Sequence, residues 1–293
     1  MTNKITLYLM SYKGHYVLQK ILSEFDSSII DKVISSRDNK VEKDYYDEIM
    51  NLSASKKIPF FDRNDSYGIN TKYCFAISWR WLIKTDKQLI ILHDSVLPRY
   101  RGFSPLVNCL INNESSVGIT AIFAKEEYDT GDIIEQRELR ITYPITIFEV
   151  IKALTPLYYE IVKVLLDKIV NGIQFNTKKQ DGKDISYSLW RDDDDYVINW
   201  GEDSFYIKRF IDAVGFPYLG ALSYTDNKKV RIIEAEVFDD VKIENRTPGK
   251  VIFIKNGNPI VVCGEGLLLI TKIIEEATGK SILPFNKIRT HFK

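Results

Sequence analysis

Two polar segments of the sequence combine side chains that could perform acid–base chemistry. The first is the run His93-Asp-Ser-Val-Leu-Pro-Arg-Tyr-Arg-Gly102, and the second is the loop Tyr128-Asp-Thr-Gly-Asp132. A histidine that is oriented by a carboxylate can hold a proton near neutral pH, stabilise an oxyanion or relay a proton. Taken singly, a histidine after a strand is usually structural, and an Asp-Thr-Gly-Asp loop is usually a turn. Chemistry therefore requires a fold that brings the two segments together.

The elements around these segments predict an α/β sheet that could position them. Helical patterns follow the first two predicted strands, and the five predicted strands lie at residues 5–10, 29–35, 58–61, 73–79 and 88–92. Strands that alternate with helices indicate a Rossmann-like parallel or mixed sheet with helices on both faces. Ligands of such sheets bind beyond the carboxyl ends of the strands, which here are the loops at 11–14, 78–82 and 93–104.

A long helix and a polar linker divide the chain into two units. Thr146 and Glu149 have the spacing of a capping box, and Gly172 is placed to end the helix, which Pro156 is expected to kink. Short strands with turns at 226–227 and 256–258 then favour a small β-barrel. We expect a catalytic domain over residues 1–175, with helix 147–171 leading out of it, and a smaller OB-like barrel domain over 186–293.

Composition excludes several classes of protein. The 293 residues carry 40 basic and 40 acidic side chains, so the chain has no general attraction for nucleic acid. Cys74, Cys109 and Cys263 are too far apart to predict a zinc site or a disulfide framework, which is typical of the reducing cytoplasm. No apolar run is long enough to predict a signal peptide or a membrane span.

The order of the motifs resembles the formyltransferases that use 10-formyltetrahydrofolate. Members of that family carry Asn-x-His, then x-Ser-Leu-Leu-Pro, a basic and aromatic pair with Gly, Gly-Val-Thr, and an Asp-x-Gly loop. The corresponding stretches here are Ile91-Leu-His-Asp-Ser-Val-Leu-Pro-Arg-Tyr-Arg-Gly102, Gly118-Ile-Thr120 and Asp129-Thr-Gly-Asp132. In the C-terminal part, Trp200, Pro217-Tyr-Leu-Gly-Ala221 and Pro248-Gly-Lys-Val251 look like the family's barrel domain.

This resemblance implies a catalytic pair. His93 and Asp129 take the positions of the family's catalytic His and Asp, which assist an amine as it attacks the formyl carbon and tetrahydrofolate leaves. Ile91 stands where the family has an Asn that shares the oxyanion, and a hydrocarbon side chain donates no hydrogen bond. Asn108 or a water could replace that donor, the enzyme could be slower, or the site could only bind. We favour retained activity because the other motif residues stay in pattern.

The resemblance also implies a folate site and no metal. The formyl donor would be 10-formyltetrahydrofolate. The residues that would contact it lie in two segments: Trp79, Arg80, Trp81, Leu82, Glu126, Glu127, Tyr128 and Asp132. For Trp79 and Trp81 a plain role in the core stays equally open.

Two differences from other family members reduce the number of possible formyl acceptors. The methionyl-tRNA member carries a basic insertion after the second strand, whereas residues 36–47 here are short and of mixed charge. The purine-pathway member has a Gly-Ser-Asn phosphate loop, whereas this chain has Ser11-Tyr-Lys-Gly14. The remaining likeness is to the enzymes that formylate amino sugars on dTDP or UDP, for surface polysaccharides. Side chains near such a substrate would be Lys13, Arg99, Tyr100, Arg101, Phe103 and Asn108.

The sequence thus predicts a cytoplasmic N-formyltransferase for a small nucleotide-sugar substrate, without a nucleic-acid or membrane partner. The resemblance also implies a homodimer. Two alternatives stay open. A methionyl-tRNA formyltransferase would bind RNA with a steep salt dependence, and a non-catalytic folate or nucleotide-sugar binding protein would follow if Ile91 has abolished the chemistry.

Overall fold

The computed structural model describes residues 4–226 and 228–293. Its helices are α1 Ser11–Glu24, α2 Tyr46–Ser55, α3 Pro105–Ile111, α4 Ile147–Val170 and α5 Ser204–Val214. Its strands are β1 Ile5–Leu9, β2 Ile30–Ser35, β3 Phe60–Asp62, β4 Tyr73–Ile77, β5 Gln88–His93, β6 Arg101–Gly102, β7 Ser116–Phe123, β8 Ile133–Arg140, β9 Tyr187–Ser188, β10 Ala221–Thr225, β11 Lys228–Phe238, β12 Val251–Lys255, β13 Asn258–Val262 and β14 Leu267–Glu275.

A seven-stranded mixed sheet forms the N-terminal unit, which confirms the predicted fold class. Its strand order is β3-β2-β1-β4-β5-β7-β8. The first five strands in this order run parallel, and β7 and β8 are antiparallel to their neighbours. The carboxyl ends of β1, β4 and β5 therefore meet at one edge, where polar residues follow each strand.

The helices pack on one face of this sheet, whereas the sequence predicted helices on both faces. The core cluster with Leu7 and Phe75 contains the buried helix residues such as Val17 and Leu154. On the opposite face Tyr8, Ile34, Cys74, Ala76 and Leu89 pack against loop side chains that include Tyr67 and Trp79, and no helix residue of the described chain joins this cluster. The connections at 63–72 and 78–87 are short, so aromatic loop residues cover this face where a helix was expected.

Helix α1 begins at Ser11, so residues 11–14 form its first turn and not the predicted loop. Gly14 lets the helix approach β1 closely, because a Cβ at Gly14 would lie 3.1 Å from the Leu9 Cβ. Lys13 is therefore held on a rigid element at the carboxyl edge of the sheet.

The long helix α4 has the predicted ends. Thr146 and Glu149 form the reciprocal capping box, and the chain stays helical through Pro156. Gly172 follows with a φ of 67°, a conformation that glycine adopts readily. No helix in the part of the chain that the structure describes is long and apolar enough to cross a membrane.

The C-terminal unit is a five-stranded antiparallel sheet in the order β10-β11-β14-β13-β12. The last residues of the chain link its two edges. Lys293 exchanges two backbone hydrogen bonds with Tyr224, near the end of the edge strand β10. The Phe292 amide donates to the carbonyl oxygen of Gly249, just before the other edge strand β12. Asp203 caps α5, and Ser204 is the first helical residue. The predicted turn at 226–227 includes Asn227, which lies outside the described residues.

Candidate active site

His93, the last residue of β5, is buried with a different oxygen beside each ring nitrogen. Nε2 lies 2.8 Å from the carbonyl oxygen of Tyr100, and Nδ1 lies 3.5 Å from Oδ2 of Asp129. A carbonyl oxygen can only accept, so Nε2 carries a hydrogen that it donates. Nδ1 is therefore the nitrogen that remains free for a further hydrogen bond, and it faces a carboxylate. The structure thus brings the two predicted catalytic residues together.

Asp129 is held in place by its own backbone and by two neighbours. It has a φ of 57°, and its side chain is nearly as buried as that of His93. Its Oδ2 accepts a hydrogen bond from the Gly102 amide at 2.8 Å, and its backbone carbonyl accepts one from Gln180 at 2.7 Å. The carboxylate is therefore fixed before any substrate binds.

Two glycines of the motifs are required by close backbone approach. A Cβ on Gly131 would lie 1.7 Å from the Phe123 carbonyl oxygen, and one on Gly102 would lie 2.5 Å from the Ser188 carbonyl oxygen. Gly102 also has a φ of 98°. A larger residue at position 131 would push the Asp129 loop away from the end of β7, and one at position 102 would push the turn after His93 away from β9.

Hydrogen bonds lock the turn after His93. Ser95 donates to the Arg99 carbonyl, and Thr120 on β7 donates to the Ser95 carbonyl, both at 2.7 Å. Gln136 on β8 donates to the Leu97 carbonyl at 3.1 Å. The sequence interpretation missed Gln136, because nothing in the local sequence shows which strand residue faces the turn.

Lys13, which was predicted to lie near the substrate, is paired with a carboxylate of this chain. Its side chain is buried, and Nζ lies 2.5 Å from Oδ2 of Asp94. The hydroxyl of Tyr158 donates to the other oxygen of Asp94. Burial, together with the Asp94 carboxylate, raises the pKa of the Tyr158 phenol well above its usual value. The phenol therefore remains a donor, and Lys13, Asp94 and Tyr158 form one closed polar cluster directly behind His93.

Three further residues that were predicted near the substrate already have partners in the packing after Pro98. Arg99 is exposed but forms an ion pair with Glu114. The Tyr100 ring is buried in the core, where its hydroxyl donates to Glu114 at 2.6 Å and burial raises its pKa to about 12. Arg101 is only 6% exposed and faces an amide oxygen of Gln180. The left-handed backbone of Tyr100 accompanies the burial of its ring and of Arg101, whereas Arg99 stays exposed.

Asn108, which could replace the donor missing at position 91, already has two hydrogen-bond partners. Its Nδ2 donates to the Ser104 carbonyl at 3.0 Å, and its Oδ1 accepts from Arg191 at 2.9 Å. Ile91 itself packs against the apolar cluster on the helix-free face of the sheet. Phe103, by contrast, is exposed beside Tyr128, with ring centroids 5.9 Å apart, and stays available to a substrate.

The first predicted folate segment follows β4 and borders a cavity. Tyr8, Tyr67, Trp79, Trp81 and Leu82 are among the residues that line this space of about 270 Å³. The centroid of the Trp79 ring lies 5.0 Å from that of the Tyr8 ring, so Trp79 also contributes to the core. Its Nε1 and the Ser78 hydroxyl are buried and lack a partner among the described residues. The aromatic side chains around this space are of the kind that could pack against a flat heterocycle such as a pterin.

The other predicted folate contacts are spread over the surface. Leu82 is 84% exposed, and Arg80 pairs with Asp38. On the second segment Glu126 and Glu127 are exposed, and Asp132 pairs with Lys125 at 2.6 Å. Tyr128 is exposed and directly precedes Asp129, which places it nearest to the catalytic pair in this set.

Two family models match parts of this chain. The family model described as "Formyl transferase" matches residues 67–161, and the model "Formyl transferase, C-terminal domain" matches residues 192–287. Two curated relatives, the methionyl-tRNA formyltransferases of Syntrophomonas wolfei and Thermodesulfovibrio yellowstonii, are 32% and 34% identical over 69% and 66% of this chain. The chain spans only 63% and 60% of the length of these relatives.

Solved structures with the same fold cover nearly the whole chain. The sugar 3N-formyl transferase WlaRD matches with a TM-score of 0.67 and 22% identity over 96% of this chain and 98% of its own. The N-formyltransferase of Helicobacter canadensis matches with a TM-score of 0.65 and 18% identity, over 91% of this chain and 98% of its own. HypX of Aquifex aeolicus, solved with tetrahydrofolic acid, matches with a TM-score of 0.67 and 18% identity, over 96% of this chain but only 45% of its own. With the motif residues arranged around His93 and both domain models matched, this chain belongs to the formyl transferase family.

Proposed function

We propose that the protein transfers the formyl group of 10-formyltetrahydrofolate to the amino group of a nucleotide-linked amino sugar. The pairing of His93 with Asp129 carries this proposal. One ring nitrogen of His93 is fixed by a carbonyl, and the other is left for proton transfer beside an anchored carboxylate. This is the arrangement that acyl transfer to an amine requires.

The roles of the two side chains follow from this geometry. The amine would attack the formyl carbon of the bound folate and lose a proton, and the bond from that carbon to the folate nitrogen would break, so that tetrahydrofolate leaves with a proton on that nitrogen. When the imidazole is protonated, Nδ1 of His93 donates a hydrogen bond to the oxygen of that carbonyl as this oxygen gains negative charge, and a donor at such a place contributes about 3–4 kcal/mol in comparable acyl transfers. Asp129 keeps the imidazole oriented and stabilises its protonated form. Because Ile91 contributes no donor, His93 supplies this stabilisation without the family's Asn.

Local charge favours a small acceptor over a tRNA. In the segment where the resemblance places the basic insertion of the tRNA-acting member, Arg37 pairs with Asp47 at 2.5 Å. Lys43 pairs with Glu48 at 2.7 Å, and Asp38 pairs with Arg80. Paired charges offer little net attraction to a phosphate backbone, which binds proteins through unpaired lysines and arginines.

The named relatives support two different acceptors. WlaRD, whose structure contains dTDP, matches this chain over almost its full length, which supports the amino sugar. The curated sequence relatives are named methionyl-tRNA formyltransferases, so the tRNA remains the second candidate.

A panel of acceptors distinguishes these functions. Mass spectrometry would follow dTDP- and UDP-linked amino sugars, and methionyl-tRNA, after incubation with the protein and 10-formyltetrahydrofolate. Formylation of one sugar supports the proposal and identifies its carrier. Formylation of methionyl-tRNA alone would replace it with the second candidate, and folate binding without any product would indicate a binding protein.

A further inference from the structure

Gln180 lies between the two domains, in a stretch that neither family model matches. Its side chain nevertheless reaches the catalytic loop. Nε2 donates to the backbone carbonyls of Asp129 and Gly131 at 2.7 and 2.8 Å, and Oε1 accepts from the Nε and Nη2 atoms of Arg101 at 3.0 and 2.6 Å. The amide thereby uses both of its hydrogens and its oxygen.

These bonds join the loop that carries Asp129 to the loop that follows His93. Arg101 lies on β6, next to Gly102, whose amide holds the Asp129 carboxylate. Arg101 is buried, and no carboxylate of the described residues pairs with it. The amide oxygen of Gln180 is therefore a main acceptor for this buried cation, and losing it would leave the guanidinium poorly solvated.

The segment around Gln180 is itself anchored. Lys178 exchanges two backbone hydrogen bonds of 2.8 Å with Ile133, at the start of β8. The backbone near Gln180 is therefore fixed, and the side chain of Gln180 holds the backbone of Asp129 relative to it. The exposed Gln174, on the same connection, has no side-chain hydrogen bond of this kind.

We propose that Gln180 is a positioning residue that sets the separation of Asp129 from His93. It touches neither the reacting atoms nor the two catalytic side chains. It fixes the backbone on both sides of Thr130, within the loop that presents the Asp129 carboxylate. A displacement of a catalytic group by about 1 Å can lower a rate about 100-fold, so this tether is expected to matter for turnover more than for substrate binding.

Two substitutions separate the halves of the amide. Gln180→Glu keeps an acceptor for Arg101 but places a carboxylate against the carbonyls of Asp129 and Gly131. Gln180→Leu removes both halves. The matched control is Gln174→Leu, which removes an exposed glutamine from the same segment.

The kinetic test rests on the proposed function and uses the full chain with the acceptor from the panel. We expect kcat to fall about 10- to 100-fold in both Gln180 variants, with the KM for the acceptor within about twofold of wild type. Gln174→Leu should match wild type. Unchanged kcat in Gln180→Leu, or kcat restored in Gln180→Glu, would overturn the proposal.

A second measurement does not depend on activity. Hydrogen exchange of the Gly102 amide reports how firmly the Asp129 carboxylate is held, because that amide donates to it. In both Gln180 variants we expect this amide to exchange at least about tenfold faster, while amides of β14 keep their wild-type rates. Equal protection of Gly102 would overturn the proposal even if no acceptor were turned over, so its failure is distinct from failure of the proposed function.

Discussion

Lys13 donates a hydrogen bond to Asp94 at 2.5 Å, which ties the first turn of α1 to the residue that follows His93. The lysine side chain is buried, so Lys13→Met leaves the carboxylate without its cation. We expect this variant to lose about 2 kcal/mol of unfolding free energy in urea denaturation at neutral pH. The exposed Gln19→Met on the same helix is the control, and equal stability of the two variants would show that the ion pair contributes nothing.

Gly131→Ala should disable the site, because its Cβ would lie 1.7 Å from the Phe123 carbonyl oxygen. The Asp129 loop has to move to relieve this contact, and we expect kcat to fall about 100-fold or more. Gly182→Ala is the matched control, since nothing lies within 4 Å of its new Cβ. Steady-state kinetics on both variants decides the matter, and an active Gly131→Ala would mean that the loop tolerates displacement.

The capping box of α4 predicts that the stability difference between wild type and a variant of Glu149 depends on pH. The backbone amide and hydroxyl of Thr146 lower the pKa of Glu149 below its usual 4.5. A carboxyl group whose pKa is lower in the folded protein than in the unfolded chain stabilises the fold at pH values above its pKa in the unfolded chain. This stabilisation is lost as the pH falls through the pKa of the group in the folded protein. Glu149 is largely solvated, so we expect Glu149→Gln to cost only about 0.5 kcal/mol at pH 7.

Thermal unfolding of wild type and Glu149→Gln over a pH series measures this difference. It should shrink towards zero as the pH falls below about 4. Glu160→Gln, on the exposed side of the same helix, should show no such trend. A difference that grows in acid would contradict the assignment.

The three thiols should be unreactive in the native protein. Cys74, Cys109 and Cys263 are all buried, and burial raises their pKa values to about 11, 12 and 12. Thiolate is the reactive form, so little of it is present at neutral pH. We expect a thiol reagent to label none of them without denaturant and all three with it, and rapid native labelling that abolishes activity would contradict this.

Local sequence patterns predicted the features that depend on local geometry. The spacing of Thr146 and Glu149 predicted the capping box, and an apolar run predicted a strand over 88–92; the structure contains both and extends the strand to His93. The motif order also indicated that Asp129 would meet His93, and the two side chains are in contact.

Contacts between distant segments could not be predicted in this way. Lys13 is 81 positions from Asp94, and Gln180 is 51 positions from Asp129. Such pairs have no periodicity or spacing that a single sequence shows. Tyr100 was expected near a substrate, but its positive φ turns the ring into the core, and that conformation is not encoded by residue type in a non-glycine.

The most direct test of the account compares wild type with His93→Asn. Each protein is incubated with 10-formyltetrahydrofolate and the dTDP- and UDP-linked amino sugars, and the formylated product is measured by mass spectrometry. We predict product from one sugar with wild type, and a loss of about 100-fold or more with His93→Asn, which keeps its folate binding. Equal product from both proteins, or none from any sugar while methionyl-tRNA is formylated, would contradict the account.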